Sequence, residues 1–227
     1  MRRAFKGRYG FLLLALLILV VVSPGMATDR LRMFSPLDAV VFTIMLAGLH
    51  AANPGRRSLY FGIGLTTVAI AVHCCAYWQS SDRLLLFHHA LALSSLLYAQ
   101  AKILSSVIAN RRVTIETLKA AVCGYLLIGV AFVFAFAIAG TLLPDSFRAQ
   151  SPDGGQSFAR LTVRRDFAEL MYLSFASLTT LGYADLIPVG AWAKTMCYVE
   201  SIVGQFYATI LIARLVGMHI SRPVEPE

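Results

Sequence analysis

The sequence predicts an all-α membrane protein with six transmembrane helices and one further helix too short to cross. Three observations carry this reading. The 227 residues are 58% hydrophobic and only 14% charged, with a mean hydropathy of +0.69, outside the range of soluble domains. Six apolar runs approach the length needed to cross about 30 Å of hydrocarbon. Between the last two runs, residues 166–178 form an amphipathic stretch without Pro or Gly, which as a helix is only roughly 20 Å long.

The six runs are 10–26, 37–52, 59–78, 84–109, 118–143 and 191–218, separated by breaks such as Ser23-Pro24-Gly25, Asn53-Pro54-Gly55 and Asn110-Arg111. Cations set the orientation. Arg2, Arg3, Lys6 and Arg8 precede the first run, Arg56 and Arg57 fill the second connection, and Arg111 and Arg112 fill the fourth, which places these segments and both termini on the cytoplasmic side. Arg30, Arg32 and Arg83 oppose this from the other side. The long connection 144–190 then lies outside or re-enters from outside. The first run, flanked by cations and followed by Gly25-Met26-Ala27, also suits a cleavable secretory signal, and removing it leaves the orientation of the rest unchanged.

The chain divides near residues 110–116 into a four-helix membrane region, 1–110, and a second part, 111–227, containing one helix, the long connection and a final helix. The net charge of +8 comes mostly from cations flanking the spans, and without a basic patch interleaved with aromatics it points to the membrane surface rather than nucleic acid. Cys74, Cys75, Cys123 and Cys197 fit neither a zinc site nor a disulfide framework and read as small apolar packers. The fourth run carries one cation, Lys102, with His88 and His89 near its outer end; the pair reads as interfacial with ordinary solvation, and a pH sensor is the alternative. One cation is not the ladder of a voltage sensor.

The short helix begins on Asp166 with Glu169 three residues later, a capping-box-like start whose acidic first turn suits the helix dipole. Its partly negative C-terminal end points inward. Directly after Leu178 comes Thr179-Thr180-Leu181-Gly182-Tyr183-Ala184-Asp185. Non-helical backbone at membrane depth is tolerated only where protein surrounds it or water lines it. If backbone handedness alternates there, successive carbonyls face one axis, and Gly182 accepts a positive φ without a Cβ penalty. The segment resembles the TVGYG filter of potassium channels, in which rings of backbone carbonyls replace an ion's hydration shell. Leu181 stands for Val and Ala184 for the second Gly.

The resemblance extends through Leu173-Ser174-Phe175, Ile187-Pro188, Glu200, Gly204-Gln205 and Leu211-Ile212-Ala213-Arg214-Leu215-Val216-Gly217. From about residue 118 the chain is similar to the bacterial two-helix-pore potassium channel family; for 1–110 the likeness is only one of topology. It implies a re-entrant pore helix and a selectivity filter. K⁺ would be held by carbonyls of Thr180, Leu181, Gly182 and Tyr183, with the Thr180 hydroxyl at the inner end. The side chains of Leu181 and Tyr183 would turn away into the pore helices, and Asp185 would close the outer mouth. Gly204 matches the family's hinge glycine, and close packing is its other reading. Gln205, Ala208, Thr209 and Ile212 follow at helical spacing and suit a cavity lining. Glu200 has two readings, protonated and hydrogen-bonded behind the filter or ionised near the cavity.

Four pore modules close one filter, so the expectation is a homotetramer of six-span subunits in the cytoplasmic membrane, conducting K⁺ passively among lipid with no organic cofactor. An enzyme is not expected, because no nucleophile–base pair or metal-ligand cluster appears in the sequence. Ala184 motivates the alternative, a weakly selective or non-conducting subunit, since a Cβ in a left-handed conformation costs about 1–2 kcal/mol.

Overall fold

The computed structural model describes residues 8–23, 44, 56–79, 82–109, 114–143, 145–150, 156–158, 167–182 and 185–220. The expected second span, apart from Ile44, the expected capping residue Asp166, and the expected filter residues Tyr183 and Ala184 lie outside them. In chain order the elements are α1 (Arg8–Val22), α2 (Arg56–Gln79), α3 (Asp82–Ala109), α4 (Ile115–Leu142), β1 (Phe147–Gln150), β2 (Gln156–Phe158), α5 (Phe167–Leu178), β3 (Leu186–Pro188) and α6 (Ala191–Ile220).

Among the described residues three helical stretches are long and apolar enough to cross a membrane: Arg83–Ala109, Ile115–Leu142 and Ala191–Arg214. The apolar stretches Tyr9–Val22 and Ile63–Val72 are shorter, so these residues support a membrane protein with three such spans, a coarser picture than six. Several hydroxyls along the helices are satisfied within their own helix, as apolar surroundings favour. Thr67, Ser94, Ser105 and Thr141 each donate to the carbonyl four residues earlier, at 2.7–2.8 Å.

The start of α4 is set locally. Thr114 is its N-cap, with Oγ1 accepting from the Thr117 amide at 3.2 Å, and Glu116 in the first turn pairs with Lys119 at 3.0 Å. From there α4 becomes the central helix. It contacts α1, α3, α5 and α6, and its buried face includes Cys123, Leu127, Val130, Phe134 and Ala137. One hydrophobic cluster joins these to Tyr9, Leu12 and Leu16 of α1, Leu96 and Ile103 of α3, and Leu170, Met171 and Leu173 of α5. Near its far end α6 is tied to α3, where Arg214 Nη2 donates to the Ile108 carbonyl at 2.6 Å; that carbonyl lies in the last turn of α3 and has no helical partner.

One expectation needs correction. His88 and His89 are buried, 6% and 3% exposed, rather than solvated: His88 Nδ1 lies 3.0 Å from the Ala69 carbonyl of α2, and the ring of His89 packs on Phe134 of α4. The packing of α2 and α4 around α3 covers them. The connection after α4 is also not wholly irregular. It holds a small three-stranded antiparallel sheet of order β2-β1-β3, with Phe147 opposite Pro188 and Arg148 opposite Phe158, an addition to an otherwise all-helical fold. Strands of three or four residues are too short for a period-2 pattern to stand out. Phe147 anchors the sheet by packing edge-on against Phe136 of α4.

Candidate functional site

The helix α5 is 12 residues long, about 18 Å at 1.5 Å per residue, too short to span. It lies against α4 and α6, burying Leu170, Met171, Leu173, Ser174, Ala176 and Leu178. The last four carbonyls of a helix have no partner within it. Here all four are met. Phe175 O accepts from Thr179 N at 3.0 Å, Ala176 O from Leu181 N at 2.8 Å and Gly182 N at 3.3 Å, and Ser177 O from Thr180 N at 3.0 Å. Two other helices complete the set. Ser201 Oγ of α6 donates to Ser177 O at 2.6 Å, and Tyr125 Oη of α4 donates to Leu178 O at 3.2 Å.

These bonds turn the amides of residues 179–182 toward α5. The carbonyls of Thr180, Leu181 and Gly182 accept no hydrogen bond among the described residues. Backbone handedness alternates. Thr180 has φ +59° and Gly182 φ +77°, with Leu181 between them on the negative side. Gly182 was the expected bearer of a positive φ; Thr180 was not. A β-branched residue in this region is an outlier costing about 1–3 kcal/mol, found where surrounding contacts hold the backbone in place. At Thr180 those contacts are the amide bond to Ser177 O and the hydroxyl, which donates to Thr179 O at 2.6 Å.

The other side of the segment is fixed by the sheet. Asp185 is exposed and leads into β3, where Leu186 lies opposite Ala149. The turn into α6 is held by Val189 N and Gly190 N, both donating to Ser146 O. The segment 179–185 is thus tethered before by α5 and after by β3.

On α6 the expected residues separate into two groups. Gln205, Thr209 and Ile212 are exposed, Ala208 is partly so, and Gln205 Nε2 reaches Thr180 Oγ1 at 3.4 Å, which puts this face alongside the inner end of the segment. Glu200 and Gly204 are buried on the side toward α5. A Cβ on Gly204 meets Leu178 O at 2.5 Å and Leu178 Cδ1 at 2.9 Å, so this glycine is first a point of close approach to the end of α5, and α6 runs through it unbroken. Glu200 is fully buried, and its Oε1 lies 2.5 Å from Ser174 Oγ. Sequence reasoning missed Tyr125, Ser201 and Tyr207, which donates to Ala121 O at 2.8 Å. Hydroxyls on otherwise apolar spans were the signal available.

No curated protein and no solved structure matches the chain. Residues 154–220, less than half of the chain, match the family model described as ion channel; this stretch contains α5, the segment 179–185 and the whole of β3 and α6 that follow it, and over it the chain is similar to ion channels, which are not enzymes.

Proposed function

We propose that the chain is one subunit of a homotetrameric, potassium-selective channel of the cytoplasmic membrane, with residues 179–185 as its filter and no organic cofactor. The observation that carries this is the row of carbonyls at Thr180, Leu181 and Gly182, which accept no hydrogen bond among the described residues while their amides are bound to α5 and their φ signs alternate. Such a row suits a dehydrated cation, because neutral oxygens replace its water at little reorganisation. It cannot face lipid. Leu181, 54% exposed in the single chain, and the open side chains of Val203, Phe206 and Ile210 on α6 leave apolar surface for neighbouring copies and lipid to cover. In this reading K⁺ is held by Thr180, Leu181, Gly182 and Tyr183, Asp185 sits at the outer mouth, and Gln205, Ala208, Thr209 and Ile212 line the cavity.

Assembly is tested by mass. The detergent-corrected mass of the purified protein is expected to be four times 24.8 kDa; a stable monomer or dimer as the sole species contradicts the pore. Voltage sensing supplies a second expectation. Among the described residues of α3 the cations are Arg83, near its start, and Lys102, whose Nζ lies 5.5 Å from the centre of the Tyr98 ring, so Lys102→Gln is expected to leave the voltage dependence of opening nearly unchanged. Steep activation in the wild type, lost in Lys102→Gln, contradicts it.

The second reading is a weakly selective cation channel. If the alternation of positive φ at 180 and 182 is continued, its next left-handed position is 184, where alanine stands.

A further inference from the structure

The buried carboxyl of Glu200 belongs to a three-helix contact that ion coordination does not use. Ser174 of α5 has its Oγ 2.8 Å from the Gly129 carbonyl of α4 and 2.5 Å from Glu200 Oε1 of α6. Both are hydrogen-bond distances, and a serine hydroxyl carries one proton. The Gly129 carbonyl can only accept. If the serine proton goes to Glu200, two oxygens with no proton between them are left 2.8 Å apart. If it goes to Gly129, the remaining contact needs a proton from Glu200.

A second observation agrees. Glu200 is 0% exposed, its Oε2 has no hydrogen-bond partner, and no cation pairs with it among the described residues. An ionised carboxylate only accepts, and buried with one bond and no countercharge it is strongly disfavoured; a neutral carboxyl leaves only a carbonyl oxygen short of a partner.

We propose that Glu200 is a neutral hydrogen-bond donor that positions the filter: its carboxyl donates to Ser174 Oγ, whose hydroxyl donates to the Gly129 carbonyl, tying inner helix, pore helix and outer helix together. The tie lies one helical turn before the end of α5, where Ser201 and Tyr125 hold the Ser177 and Leu178 carbonyls. It fixes the tilt of α5, and through it the carbonyls of 180–182. Of the two sequence readings of Glu200, this selects the protonated one and gives it a direction, donor to Ser174 rather than acceptor from it.

The functional half of this inference rests on the channel reading, so the test has two readouts. In infrared spectra of the purified wild type at neutral pH, a protonated-carboxyl C=O band is expected that is lost in Glu200→Gln and shifted in Ser174→Ala. Absence of that band overturns the proposal, whether or not the protein conducts. In liposomes, Glu200→Ala and Ser174→Ala are expected to lower the K⁺ over Na⁺ permeability ratio by roughly tenfold, the scale of a lost buried hydrogen bond. Glu200→Gln, whose amide still donates, should restore it. Loss in Glu200→Gln equal to that in Glu200→Ala overturns the donor role and favours an ionised glutamate. A wild type that carries no K⁺ sinks the channel reading, and the infrared band still decides the proton order.

Discussion

Gly204→Ala is expected to reduce K⁺ flux by at least roughly tenfold and to lower K⁺ over Na⁺ selectivity with it. The added methyl falls 2.5 Å from Leu178 O, a backbone atom that cannot rotate away, and overpacking of this kind costs about 1–3 kcal/mol per site. Leu178 is the last residue of α5, its carbonyl already accepts from Tyr125, and Thr180 follows two residues later. In the proposed channel, displacing it moves residues 179–185 in every subunit. Gly64→Ala is the control: it also lies inside a helix, but a Cβ there meets nothing within 4 Å, so it should leave conduction and selectivity near wild type. The hinge reading of Gly204 makes a different forecast. Altered open times with selectivity intact would show that bending, and not close approach, is what the glycine serves.

The second large effect is at Gly182. A Cβ there meets open space, so the penalty in Gly182→Ala comes from the backbone alone, at φ +77°. At about 1–2 kcal/mol per subunit, four copies around one axis sum to roughly 4–8 kcal/mol. Each 1.4 kcal/mol is tenfold in population, so the conducting arrangement becomes rare and selective conduction should disappear. Ala184→Gly is expected to move in the opposite direction, raising selectivity and lengthening openings. Thr180 shows that a residue with a Cβ can be held at positive φ, but its hydroxyl and amide bonds help to hold it, and alanine has no hydroxyl. Reversal potentials under bi-ionic conditions measure both variants. An Ala184→Gly channel indistinguishable from wild type would show that alanine is accommodated without strain, and the weakly selective reading would lose its support.

The parts legible in the sequence were those written in contiguous residues. The short helix and the long final helix could each be read from length, caps and apolar pattern, and the structure places both close to their expected bounds. What escaped was set by contacts between distant residues. Tyr125 reaches Leu178 across 53 positions and Arg214 reaches Ile108 across 106; each donor or acceptor alone is an unremarkable group on a span. The positive φ at Thr180 was hidden for another reason. Glycine announces such a position and threonine does not, since its conformation is imposed by the hydrogen bonds of its neighbours. The buried state of His88 and His89 depended on how α2 and α4 flank α3, which no local pattern encodes.

The central claim is selective passage of K⁺ through a pore closed by four copies of residues 179–185. Purified protein in liposomes, assayed in parallel for K⁺ and Na⁺ flux, tests it most directly. The expected result is K⁺ flux exceeding Na⁺ flux by more than roughly tenfold, corresponding to about 1.4 kcal/mol of discrimination between the ions, and abolished by Gly182→Ala. Equal flux of the two ions would contradict the potassium-selective assignment, and the absence of flux for either would contradict a conducting pore.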